Sequence, residues 1–135
     1  MTLKKSPNLL LEELGAQWLK YHRSIDESGK VNVTLTEQED FIVTATKIEE
    51  LIKQSPIDGW NLIQIIYLDC NTNVLKACLA AGLLEDFLVF HGSYALEKIK
   101  LTIQNDSSFN ELLDGVWQGA IKDDTWARLQ EFRAE

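Results

Sequence analysis

Apolar residues recur along most of this chain at spacings of three and four, the period of a helix with one buried face. Leu10, Leu14, Trp18 and Tyr21 form the first stripe. Ser6-Pro7 opens it with a capping hydroxyl and a proline whose missing N–H does no harm in a first turn. The pattern predicts a first helix ending near His22. From Arg23 to Leu35 the period changes. Ser28-Gly29 reads as a turn, and Val31, Val33 and Leu35 alternate with Asn32 and Thr34 as in a strand. No second alternating run exists to pair with it. An extended loop around residues 23–35 is expected, packed on helices or offering an edge to another chain.

Helical spacing then returns. Thr36-Glu37-Gln38-Glu39 is a capping box for a second helix carrying Phe41, Ala45, Ile48 and Ile52. That helix stops at Ser55-Pro56, because the residue before proline avoids the α region. A third runs from Trp60 to Asp69, with so little polar face that it should be the central, most buried one. Asn73 caps a fourth that ends at Gly82, and its Ala77, Cys78, Ala80 and Ala81 permit close approach. A fifth spans Leu84 to His91 and closes at Gly92. Ser93 caps a sixth, from Tyr94 to Gln104. Asp106 or Ser107 starts a seventh, whose stripe Phe109, Leu112, Leu113, Val116 and Trp117 predicts Trp117 buried beside Phe109 and Leu113. Asp123 or Asp124 starts an eighth with Trp126, Leu129 and Phe132. The fold class is all-α: a compact bundle or short α-solenoid-like array of seven to eight helices in one domain, residues 1–135.

Composition narrows the function. The 135 residues are 45% hydrophobic and 25% charged, an ordinary globular balance. Thirteen Lys and Arg face twenty-one Asp and Glu, a net charge of -8. Nucleic-acid binders carry a basic face, so direct DNA or RNA contact is disfavoured, and a basic protein partner is favoured. Neither a secretory signal nor a membrane span is read from the apolar runs, and a cytoplasmic chain is expected. Cys70 and Cys78 form no C-x-x-C and are expected to stay reduced.

The stretch from Pro56-x-x-x-Trp60, through Leu79-Ala80-Ala81-Gly82-Leu83-Leu84-Glu85-Asp86-Phe87-Leu88 and His91-Gly92, to Phe109-x-x-x-Leu113-x-Gly115-Val116-Trp117 and Trp126 resembles a functionally uncharacterised bacterial domain family. Leu83 stands where that pattern often has proline. The resemblance implies a bacterial, helical, cytoplasmic domain and brings no activity with it. Compactness and acidity add an analogy to immunity proteins, which neutralise toxins delivered by competing bacteria.

Catalytic signatures are weak. His91 shares a helical face with neither Glu85 nor Asp86, so the three do not have metal-ligand spacing. Carboxylates in a first turn and imidazoles in a last turn complement the helix dipole, which accounts for Glu85, Asp86, His91 and His22. No nucleophile elbow, phosphate loop or zinc-binding His pair occurs. The reading is therefore a non-enzyme without cofactor or metal: a bacterial immunity protein that binds a cognate toxin domain, a basic nuclease. A generic helical interaction or regulatory module is the alternative, and a small metal-dependent enzyme the third. The candidate partner-binding residues are Glu85, Asp86, Asp114, Asp123, Asp124 and Trp126: an acidic face with one amphipathic aromatic at its edge.

Overall fold

The computed structural model describes residues 7–28 and 35–134. Every regular element among them is helical. In chain order they are α1 (Pro7–Ser28), α2 (Leu35–Gln54), α3 (Pro56–Asp69), α4 (Asn73–Leu79), a π-helical turn (Ala80–Leu84), α5 (Glu85–Phe90), α6 (Gly92–Asn105), α7 (Ser108–Leu112), a 3-10 turn (Leu113–Gly115) and α8 (Asp123–Arg133). The run from α4 through the π turn to α5 is unbroken, so the described residues hold seven helical rods.

Helix α3 packs on α1, α2, α4, α5 and α6. A single helix touching five others makes a bundle; in a solenoid each unit meets its neighbours alone. Leu62, Ile63 and Ile66 of α3 are wholly buried, as its nearly all-apolar circumference requires. Around them lie Leu11, Leu14, Trp18 and Leu19 of α1, Ile48 and Ile52 of α2, Leu75 and Leu79 of α4, and Phe87 and Leu88 of α5. Leu96 and Ile99 of α6, Phe109 and Leu112 of α7, and Leu129 of α8 complete the same core.

Several helix boundaries differ from the sequence expectation, each for a local reason. The Ser55-Pro56 pair ends α2 and also starts α3: Ser55 Oγ accepts from the Asp58 N–H at 3.2 Å, with Pro56 at the first helical position. Thr72, one residue before Asn73, caps α4 by accepting from the Leu75 N–H at 3.1 Å. Leu35 already belongs to α2, which places Thr36 inside the first turn. Gly92 is the first residue of α6 and has no positive φ, so it does not close α5 in the left-handed manner; Ser93 lies inside α6.

The largest correction concerns the expected loop at 23–35. Helix α1 continues past His22 to Ser28. Two contacts are made by this extension and a third lies at its base. Tyr21 stacks on Phe41 of α2, with centroids 3.8 Å apart and planes 1° apart. Ser24 Oγ donates to the Tyr21 carbonyl at 2.7 Å. The Arg23 guanidinium donates to the Asp69 carbonyl at 2.8 Å, satisfying an orphan acceptor at the C-terminal end of α3. Val31 and Val33, which carried the strand alternation, lie outside the described residues, as does Ser6.

His22 consequently sits within a helix and does not serve a C-terminal dipole. Its ring lies 4.1 Å from that of Trp18 and meets Phe41 edge-on at 5.5 Å. Burial among these rings lowers its pKa from the ordinary 6.5. The neutral imidazole is thus the form the fold prefers. Stability from this group is complete above pH 6.5 and declines as pH falls from there through the lowered folded value. Between pH 7.5 and pH 5 the melting temperature of the wild type is expected to drop further than that of His22→Gln. Equal drops in the two proteins would assign the acid sensitivity to other groups.

Candidate functional site

The seventh helix does not continue to Trp117. It tightens into the 3-10 turn after Leu112, and Val116 then takes an extended backbone, φ -86° and ψ 130°. The expected burial of Trp117 is therefore wrong. Helical spacing from Phe109 holds as far as Leu113, and the break at Asp114-Gly115 turns Trp117 outward, leaving it 74% exposed. Gly115 allows the break to lie close to the bundle: a Cβ there would meet the Ala80 Cβ at 3.0 Å.

The segment from Val116 to Lys122 is a constructed loop. Val116 and Ile121 are buried at either side and anchor it. The Ile121 N–H donates to the Gln118 carbonyl at 2.7 Å. The Gln118 amide donates to the Ile121 carbonyl at 3.3 Å and to Asp123 Oδ1 at 2.7 Å. Gly119 is the one described residue with positive φ, +46°, a conformation that glycine adopts freely. A Cβ at Gly119 would lie 2.9 Å from Glu85 Oε1, so Glu85 flanks the loop directly. Trp117 is thus an exposed indole on a tied loop, whose Gly119 and Gln118 meet the carboxylates of Glu85 and Asp123.

The other acidic candidates divide. Asp114 is exposed, but the Arg133 guanidinium pairs with it. Arg133 also donates to Asn110 Oδ1 at 2.8 Å, tying α8 to α7. Asp86 is exposed yet partly shielded from water. That shielding first, and then the charges of Glu49 on α2 and Glu85, keep its carboxyl above the usual range. Asp124 lies in the first turn of α8 and accepts from the Thr125 N–H at 2.8 Å. Trp126 is half-buried against the core. The structure therefore brings Glu85 and Asp123 to the loop that carries Trp117, and places Asp86 within reach of the Glu49 charge. The dipeptide Asp114-Gly115 is a turn signal, and it was the mark in the sequence that Trp117 would leave the stripe.

His91 occupies the bend between α5 and α6. Its Nε2–H donates to the Ile52 carbonyl at 2.6 Å, an acceptor in the last turn of α2. It complements a helix end, though of α2 and not of its own helix. No disulfide joins Cys70 and Cys78, and burial pushes the Cys70 thiol up to about 11, which keeps it protonated. Among the described residues no three His, Cys, Asp or Glu side chains are grouped to hold a metal ion. No described helix is long and apolar enough to cross a membrane.

No curated protein and no solved structure matches this chain. Residues 32–135 match the Family of unknown function (DUF6869), a segment that contains the whole Trp117 platform, and the chain belongs to that family.

Proposed function

We propose that this domain is a non-catalytic binding module that takes a basic protein partner, with Trp117 as its anchor and Glu85 and Asp123 as its charged border. The observation that carries this reading is the exposed indole on a loop fixed by Val116, Ile121 and the Gln118 hydrogen bonds. Large aromatics in pre-ordered positions dominate binding energy at protein interfaces, because little conformational freedom remains to be lost. The net charge of -8 adds long-range attraction for a cationic surface.

The specific form of the proposal is an immunity protein that covers the positive site of a toxin domain, a nuclease among the candidates. Nucleases need positive sites for phosphate, and an acidic anchor surface is complementary to one. A regulatory module with a basic cellular partner uses the same surface. A toxin gene directly upstream separates the first from the second.

The test starts with co-purification from cells that encode the chain and identification of the bound protein. Association is then timed at rising salt. The Debye length shrinks from about 10 Å at 0.1 M to about 3 Å at 1 M, so the on-rate should fall at least about tenfold while the off-rate changes less. The double reversal Glu85→Lys with Asp123→Lys should reproduce that fall at low salt. Reversal of Asp124, which lies outside the Trp117 border, should matter less. A salt-independent on-rate and full binding by the double reversal would sink the acidic-anchor reading.

A further inference from the structure

The loop that carries Trp117 meets the rod from Asn73 to Phe90 at two points, one on each side of the indole. Before it, Gly115 lies over Ala80, the first residue of the π-helical turn. A Cβ on Gly115 would sit 3.0 Å from the Ala80 Cβ and 3.7 Å from the Ala77 Cα. After it, Gly119 lies beside Glu85, the first residue beyond that turn. A Cβ on Gly119 would sit 2.9 Å from Glu85 Oε1. Gly115 and Gly119 each stand two residues from Trp117.

The π turn puts both supports on one side of the rod. In an α-helix, residues five apart lie about 140° around from each other. The bonding of a π turn runs from i to i+5 and brings such residues round to nearly the same side. Ala80 and Glu85 are five apart, and the turn between them is π-helical.

The two supports differ in stiffness. Ala80 is wholly buried, so its methyl has nowhere to swing. Gly115 has no positive φ, so its backbone would accept alanine and only Ala80 stands in the way. At Gly119 the neighbour is the far end of a flexible side chain, and the φ of +46° itself disfavours a side chain.

We propose that Ala80 and Glu85 are positioning residues for Trp117, a two-point seat that holds the indole in place. On the reading of Trp117 as the anchor, from which this follows, the seat removes freedom that binding would otherwise have to remove. The fit is reciprocal: one methyl fills the space between residues 80 and 115, and a second crowds it.

The test uses the free chain labelled with nitrogen-15 and no partner. The seat is therefore judged by loop order, and the anchor reading separately by affinity. The readouts are the order parameter of the Trp117 amide, the position of its indole N–H signal and the melting temperature. For the wild type the order parameter should be about 0.85, and in Gly115→Ala it should fall below about 0.6 with the indole signal displaced. Ala80→Gly, which empties the same space, should lower it as well. Both changes together move the methyl from one side of the contact to the other, and the Ala77 Cα at 3.7 Å is then the nearest atom to it, an ordinary separation. Order should return in this double variant while its melting temperature stays below that of the wild type, because glycine is unfavourable within a helix. A contact that served stability alone would leave order tracking the melting temperature. Glu85→Ala should lower the order parameter, and Glu85→Gln, which keeps the contact without the charge, should not. Unchanged order in Gly115→Ala, or order still lost in the double variant, would overturn the proposal. Should Gly115→Ala fail to fold, the Glu85 pair decides: order kept in Glu85→Ala, or lost equally in Glu85→Gln, would overturn it too.

Discussion

Phe87→Ala is expected to lower the unfolding free energy by about 3–5 kcal/mol, the range for deleting a large aromatic from a packed core. Phe87 is completely buried. Its ring lies 5.8 Å from Trp60 of α3, 6.1 Å from Tyr94 of α6 and 5.6 Å from His91 in the bend between α5 and α6, so two helices and a bend converge on it. The cavity left behind would sit beside α3 and could not collapse without moving that helix. Urea titration gives the number directly. Phe87→Leu, which keeps most of the volume, should lose about 1 kcal/mol. A loss below about 1 kcal/mol for the alanine variant would mean that α5 is not seated on α3 as described.

Trp117→Ala should behave in the opposite way. With the indole 74% exposed, unfolding free energy should change by no more than about 0.5 kcal/mol. Affinity for the basic partner should fall by about 2 kcal/mol or more, roughly thirtyfold. The pair of measurements on one variant separates the two roles open to a tryptophan. A stability loss of several kcal/mol would place Trp117 in the core. Unchanged affinity, with stability also unchanged, would remove it as the anchor.

Much of the bundle was legible because helical burial leaves a periodic trace. The stripe of α2 and the apolar circumference of α3 were read directly from spacing, and the start of α8 was read to within one residue, Asp123 or Asp124. What escaped was decided by contacts remote in sequence. Alternation in Val31, Val33 and Leu35 masked the continuation of α1, which depends on Arg23 reaching Asp69 and Tyr21 reaching Phe41. The same holds for the candidate surface. Acidic residues could be counted, but their pairing could not: Asp114 is matched by Arg133 at the far end of α8, and Glu85 is brought to Gly119 by a loop. Trp117 was misplaced by extending one periodic pattern across Asp114-Gly115. There a local turn preference overrode a stripe that was otherwise well formed.

The π-helical turn at Ala80–Leu84 explains how the long rod from Asn73 to Phe90 keeps a single buried side. Leu75 and Leu79 face the core before it, and Leu84, Phe87 and Leu88 after it. An unbroken α-helix would continue from Leu79 to Leu83 and Asp86, and would point a carboxylate at the position Phe87 now fills. The wider turn absorbs one extra residue and so restores the frame. A relative shorter by one residue at this point could therefore run straight through as an ordinary α-helix and still deliver its phenylalanine to the same place. Among members of the family, length variation at this turn would then appear as a single-residue gap, silent in the packing on either side.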